Sequence, residues 1–268
     1  VACVIGDPVA HSRSPAMHEA AYRQLGLPWR YVALRVEPSR LETALDGLHA
    51  LGFAGVNVTV PHKVAAAARC ATLTGEARAA GAVNTLLPLE DGWHGALTDG
   101  VALVDALREE APAALERPAL VLGAGGAARA AVTALITAGV PCVAVLARRP
   151  EAARALTDAV DGAAEAVAQV PAEIGVVVNA TPAGGLVALE DAGLPADAIE
   201  RMDVLADYAY RPDGRPTAAV SAARAAGRPA VDGLELLARQ GALAFTLMTG
   251  ETAPLEIMRR AAREAGHA

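Results

Sequence analysis

Residues Ala119 to Ala128 constrain this chain more than any other stretch. Ala119-Leu120-Val121-Leu122 is a compact apolar run that leads without a linker into Gly123-Ala124-Gly125-Gly126-Ala127-Ala128. A helical stretch follows to about Ala138, Gly139 stops it, and Cys142-Val143-Ala144-Val145-Leu146 reads as the next strand. Strand, glycine turn, helix and strand within about thirty residues are the βαβ unit of a Rossmann-type, doubly wound sheet. Gly123, Gly125 and Ala128 fit G-x-G-x-x-G/A. The first Gly allows the tight turn, the second lets the backbone approach a pyrophosphate, and the small third residue lets helix and strand pack closely. The helix N-terminus adds free N–H groups and a partial positive charge. Gly-Ala-Gly-Gly also serves as an ordinary turn; its place between strand and helix is what favours a dinucleotide, with Gly123, Ala124, Gly125, Gly126 and Ala127 as its cradle.

The adenosine end reads just as directly. A unit that binds NAD carries an acid about 20 residues on, for the ribose 2′-OH. Here the second strand ends Leu146-Ala147-Arg148-Arg149-Pro150, with two arginines and no acid. A guanidinium can hold a 2′-phosphate by paired, charge-assisted hydrogen bonds, so the expected cofactor is NADP. A solvated basic loop is the bland alternative. Arg129 and Arg154 can assist or can be surface residues.

The rest of the chain supports an α/β class in two parts. Its 268 residues suit two domains, and 53% apolar residues suffice for two cores, which at 3% aromatics are expected to be built from Ala, Val and Leu. In the first part Ala2 to Ile5, Tyr31 to Val36 and Gly55 to Val60 read as strands. Ser14-Pro15 opens a helix with Ser14 at its cap, Gly26 closes it, and Pro38 to Leu51 is a second helix. A segment near Gly81 to Leu87 follows, and the alternation predicts a mostly parallel sheet. Later strands are expected at Gly175 to Val178 and Val204 to Ala206, and helices at Leu234 to Leu247 and Pro254 to Glu264. The formal charge of −7 argues against a nucleic-acid or anionic-membrane partner. No apolar run approaches the roughly 18–20 residues that span a bilayer, and no secretory leader is apparent. Cys3, Cys70 and Cys142 form no CxxC pair, which fits reduced thiols and a cytoplasmic location; no metal site is expected.

Several ordered motifs carry a resemblance. Gly6-Asp7-Pro8-Val9-Ala10-His11-Ser12-Arg13-Ser14-Pro15 with His18, then Asn57-Val58-Thr59-Val60-Pro61-His62-Lys63, Gly81-Ala82-Val83-Asn84-Thr85 and Gly95-Ala96-Leu97-Thr98-Asp99-Gly100 lie in the first part. The glycine turn, Asn179-Ala180-Thr181-Pro182-Ala183-Gly184, Asp207-Tyr208-Ala209-Tyr210, and Gly233-Leu234-Glu235 with Gln240-Gly241-Ala242 and Phe245 follow in order. Together they resemble the shikimate dehydrogenases over essentially the whole chain. Departures are Glu19 where the family often has Asn, Ala102 where it has Gly, Leu97-Thr98-Asp99 for Asn-Thr-Asp, and the Ala-Arg-Arg loop.

The resemblance implies a substrate-binding catalytic domain over 1–99, a Rossmann NADP-binding domain over 100–235, and C-terminal helices over 236–268 returning to the first domain. It implies reversible reduction of 3-dehydroshikimate to shikimate, with Lys63 and Asp99 as the proton-transferring pair in a cleft between the domains. Ser12, Ser14 and Tyr210 would meet the substrate carboxylate, while Asn57, Thr59, Asn84 and Gln240 would hold ring hydroxyls. Thr181 and Gly233 join the cofactor residues. Read without the family, Lys63 is a lysine after a Pro-His turn, Gln240 a surface amide, and Ser14 a helix cap. His11, His18 and His62 read as structural hydrogen-bonders, and Cys142 as core. The partner is a small molecule, and the chain a monomer or homodimer. Quinate/shikimate or aminoshikimate dehydrogenases are the near rivals; a non-catalytic shikimate and NADP sensor is the rival of another class, against which Lys63 and Asp99 both stand.

Overall fold

The computed structural model describes residues 1–160, 162–181 and 196–265. The chain divides into two compact units, one of Val1–Thr98 with Leu237–Ala268 and one of Asp99–Leu236. Both are α/β. Among the described residues no helix is long and apolar enough to cross a membrane.

The first unit is built from β1 (Ala2–Gly6), α1 (Ser14–Gln24), β2 (Tyr31–Arg35), α2 (Leu41–Ala50), β3 (Gly55–Val58), α3 (Lys63–Ala67), β4 (Thr72–Leu73), α4 (Gly75–Ala80), β5 (Thr85–Leu89) and β6 (Gly92–Ala96). Its strands lie in the order β2-β1-β3-β5-β6-β4. β1 pairs parallel with β2 and β3, but β5 runs antiparallel to both β3 and β6. This sheet is therefore mixed, but β5 alone runs against the other five strands, so it is mostly parallel as the alternation predicts. Gly92, at φ 122°, makes the tight return from β5 to β6 that only a glycine adopts readily. On one face Ala2 and Val4 pack with Met17, Ala21 and Tyr22 of α1 and with Ala238, Phe245, Met258 and Ala262 of the C-terminal helices. The expectation of cores made of Ala, Val and Leu holds only in part here, because Tyr22, Tyr31 and Phe245 join the Ala and Val residues of this cluster. Full burial of Phe245 contributes about 1.5–3 kcal/mol.

The second unit holds α5 (Asp99–Glu110), β7 (Ala119–Leu122), α6 (Gly126–Thr137), β8 (Val143–Leu146), α7 (Pro150–Thr157), β9 (Ala164–Ala166), β10 (Val176–Asn179), α8 (Ala196–Arg201), β11 (Val204–Asp207), α9 (Ala218–Ala225) and β12 (Ala230–Val231). The order is β12-β11-β10-β7-β8-β9 and every pairing is parallel. Numbered within the unit, that is the 3-2-1-4-5-6 arrangement of a Rossmann sheet. Successive residues of β7 face opposite layers: Ala119 and Val121 pack with Leu103, Ala131 and Leu135, whereas Leu120 and Leu122 pack with Met202, Ala219 and Val220. Both faces are covered, which is why these strands read as continuous apolar runs. The chain leaves the unit inside α10 (Gly233–Thr249) and ends in α11 (Leu255–Glu264).

Two local readings are corrected. Ser14 is not the cap of α1: Arg13 is, and its carbonyl accepts from Met17 N–H at 3.1 Å. Ser12 displaces the helix start, because its hydroxyl accepts from the Ser14 N–H at 3.3 Å. His18 is no hydrogen-bonder: it is fully buried, neither ring nitrogen has a partner among the described residues, and it stacks on Tyr31 with centroids 4.2 Å apart.

Candidate active site

In the first unit the loop after β1 carries Ser12 and leads into Ser14, the first residue of α1. The Arg13 guanidinium between them is buried and donates to the Ala262 carbonyl at 2.6 Å, fastening the loop to the end of α11. The Ser14 hydroxyl, released from capping, makes no hydrogen bond among the described residues. Gly6 lets the end of β1 close on Thr59, whose methyl a side chain at 6 would strike. Thr59 lies just beyond β3, and its carbonyl accepts from His62 N–H at 3.0 Å. His62 fills the space below through Nε2 and the Val36 carbonyl, 2.7 Å apart. That turn delivers half-buried Lys63 as the first residue of α3. His11, by contrast, is exposed and makes no hydrogen bond among the described residues.

Three of the expected amides form one network. Asn57 Oδ1 accepts from the Tyr31 hydroxyl at 2.6 Å, and its Nδ2 donates to the Asn84 carbonyl and to Thr85 Oγ1, both at 3.1 Å. Asn84 Oδ1 accepts from the Thr98 N–H at 2.9 Å, and its Nδ2 donates to Thr98 Oγ1 at 2.9 Å and to Gln240 Oε1 at 3.2 Å. Gln240 gives one N–H to the Leu237 carbonyl at 2.8 Å. Gln240 is thus no surface amide. Nearly every polar atom of Asn57 and Asn84 is committed within the protein; the second Gln240 N–H and the long Asn84–Gln240 bond are what a ligand hydroxyl can use. Sequence reasoning gives no role to Tyr31, Thr85 or Thr98. Tyr31 and Asn57 are far apart in the chain, and only the parallel pairing of β2 and β3 with β1 brings them together.

In the second unit Gly123 has φ 109°, and a Cβ there would meet the Ala180 carbonyl oxygen at 3.0 Å. The turn therefore lies against the end of β10, at the point where strand order reverses on either side of β7 and β10. Gly125 is extended and caps α6; a Cβ built on it meets nothing within 4 Å. Gly126 and Ala127 open the helix, while Ala128 is fully buried in the layer below. Arg148 and Arg149 follow β8, both exposed, and neither guanidinium makes a hydrogen bond or ion pair among the described residues. Arg129 is half-buried on α6 and Arg154 is exposed on α7. Open backbone above a twelve-residue helix and two unpaired guanidinium groups suit a phosphorylated dinucleotide.

Beyond β10 and β11 the remaining candidates cluster. The Thr181 N–H and hydroxyl both donate to Asn179 Oδ1, at 3.1 and 2.7 Å. Pro182, Ala183 and Gly184 of that motif lie outside the described residues. Asp99 is buried at the start of α5, and its carbonyl accepts from the Tyr208 hydroxyl at 3.1 Å. Tyr210 is half-buried two residues on. Gly233 packs on the Ala209 carbonyl so closely that no side chain fits. Cys142 is only half-buried at the entry to β8, with its thiol raised by burial and by Glu165, so it is neither core nor a thiolate.

A Rossmann sheet with a glycine turn at its switch point, in a chain that also carries a mixed α/β unit with interlocked amides, defines a two-unit protein of the dinucleotide-binding class. The model of the shikimate dehydrogenase substrate binding domain matches residues 4–86, and that of the shikimate 5'-dehydrogenase C-terminal domain matches residues 233–263. The chain belongs to the shikimate dehydrogenase family. It is 46% identical to the shikimate dehydrogenase (NADP(+)) of Anaeromyxobacter sp. (strain Fw109-5), over 99% of this chain and 96% of that one. A crystal structure of shikimate 5-dehydrogenase from Thermus thermophilus, in complex with NADP(H) and shikimate, superposes with TM-score 0.84 at 41% identity, covering 98% of each chain. The ligand-free 5-ketofructose reductase of Gluconobacter sp. strain CHM43 superposes with TM-score 0.83 at 28% identity, covering 97% of this chain and 96% of that one.

Proposed function

We propose that this chain catalyses the reversible, NADP-dependent interconversion of 3-dehydroshikimate and shikimate. One observation carries the reading: a relative solved with both NADP(H) and shikimate superposes over 98% of the chain at 41% identity. Gly123, Ala124, Gly125, Gly126 and Ala127 hold the pyrophosphate, Arg148 and Arg149 the 2′-phosphate, and Thr181 and Gly233 border the nicotinamide end. Bound there, NADPH supplies the hydride.

The protein's own residues do the rest. As the ring carbonyl gains negative charge, Lys63 gives its proton to that oxygen, and Asp99 orients the ammonium and the hydroxyl that forms. In the reverse direction the same pair withdraws the hydroxyl proton. Ser12, Ser14 and Tyr210 donate to the substrate carboxylate. Thr59, Asn84 and Gln240 meet the ring hydroxyls. Asn57, with both amide hydrogens committed, offers only a lone pair on Oδ1. Three free thiols favour a cytoplasmic setting, where the chain acts as a monomer or homodimer.

The test is a panel of shikimate, quinate and aminoshikimate with NADP⁺ and with NAD⁺, followed at the nicotinamide absorbance band, with 5-ketofructose and NADPH as a further arm. Shikimate with NADP⁺ should give the highest kcat/KM. A higher value for any other pair would overturn the assignment.

A further inference from the structure

Asp207 ends β11 completely buried, and every group that donates to it is neutral. Its Oδ2 accepts from the Thr217 hydroxyl at 2.6 Å, and its Oδ1 accepts from Asn179 Nδ2 and from Ala209 N–H, both at 2.9 Å. Burial pushes this carboxyl up to about 6, with Asp232 adding to the rise. A buried carboxylate without a cation is costly. What it secures is the geometry around it. Asn179 turns its other amide atom to the N–H and hydroxyl of Thr181. Thr217 caps α9 by accepting from Val220 N–H at 3.2 Å, which fixes the far end of the segment that carries Tyr210. Ala209 lies between Tyr208, which donates to the Asp99 carbonyl, and Tyr210, and its own carbonyl abuts Gly233. A carboxylate suits this point because it only accepts, and its two oxygens can take three or more hydrogen bonds.

We propose that Asp207 is a positioning residue for hydride transfer, tying the Thr181 turn and the Tyr208–Tyr210 loop into one fixed arrangement around Asp99. The inference rests on the reading above, in which Asp99, Thr181, Tyr210 and Gly233 serve the reaction. Misplacing reacting groups by a fraction of an ångström to an ångström lowers kcat by about 10–10²-fold while leaving binding largely intact.

The experiment compares Asp207→Ala with Asp207→Asn in the full chain. Asp207→Ala should lower kcat by about 10–10²-fold per NADPH-binding site, counted by fluorescence titration, with both KM values within about threefold of wild type. Asp207→Asn keeps an oxygen for Asn179 and Ala209 and should recover most of the turnover. A loss of kcat that only follows the loss of NADPH-binding sites would reduce Asp207 to a folding role and overturn the proposal. So would unchanged kcat in the Ala variant, or equal loss in both variants, which would assign the effect to charge. If Asp207→Ala does not fold, Thr217→Val against Thr217→Ser decides by the same criteria. Lys63→Ala separates the two levels: a Lys63→Ala enzyme that keeps its turnover removes the reading itself, whereas an inactive one beside a fully active Asp207→Ala removes only this inference.

Discussion

Replacing His18 by Phe should change how stability depends on pH. His18 is fully buried, makes no side-chain hydrogen bond among the described residues, and stacks on Tyr31 with an interplanar angle of 9°. Burial pulls its imidazole down from 6.5 to about 3. In the folded state it stays neutral across the accessible range, while in the unfolded chain it takes up a proton below about 6.5. The unfolded state binds more protons there, so stability is fully present above about pH 6.5 and falls as pH drops towards 3. Near pH 5 the cost is about 1.5 pH units times 1.4 kcal/mol, or about 2 kcal/mol. His18→Phe keeps an aromatic ring against Tyr31 and abolishes the titration. The sequence has two tryptophans, Trp29 and Trp93, both in the first unit with His18, so urea unfolding followed by their fluorescence reports on the right half of the molecule. The variant should gain about 2 kcal/mol over wild type between pH 7.5 and pH 5. A difference between the two proteins that stays constant within about 0.5 kcal/mol across that range would refute the argument.

Asp207 acts in the second unit with the opposite sign. Its folded-state pKa is raised from 3.8 to about 6, so its contribution is fully present below 3.8 and is lost as pH rises through 6. Asp207→Asn should flatten that slope by about 3 kcal/mol between pH 4 and 7, read by hydrogen exchange of the β11 amides. Equal slopes in both proteins would contradict the raised value. Lys63→Ala should lower kcat by about 10²–10⁴-fold with NADP⁺ affinity nearly unchanged, and steady-state kinetics with equilibrium titration check both halves. Arg148→Ala combined with Arg149→Ala should raise the KM for NADP⁺ about 10²-fold and leave NAD⁺ use untouched. The estimate sits at the low end because both arginines are exposed and salt screens them. Equal NADP⁺ and NAD⁺ efficiencies in the unmodified enzyme would make the arginines surface decoration.

The second unit is the more legible in sequence. Its strands are buried on both faces and read as continuous apolar runs, and Gly123 marks the turn because its φ of 109° excludes other residues. The short strands β9 and β12 leave no pattern to find. In the first unit the β5–β6 hairpin escapes the sequence reading although Asp91-Gly92 signals such a return. Pro88 argues against a strand, yet it pairs only with Trp93 of β6 and lies beyond the reach of β3, where a missing N–H costs nothing. The motifs lead to Asn57, Asn84 and Gln240, but not to what binds them together. Tyr31, Thr98 and Asp207 act through contacts 10 to 142 positions away in the chain, and no local spacing encodes these.

The return of the last helices to the first unit sets an order of events on the ribosome. Asp99–Leu236 is one uninterrupted stretch and can close its sheet as soon as it has been synthesised. The first unit cannot. Ala2, Val4, Met17 and Tyr22 wait for Ala238, Phe245, Met258 and Ala262, which emerge only after the second unit. Throughout most of translation the N-terminal apolar face is therefore uncovered and open to holdase chaperones. A nascent chain stalled before Leu237 should carry a folded cofactor sheet and an adhesive, unfinished partner half.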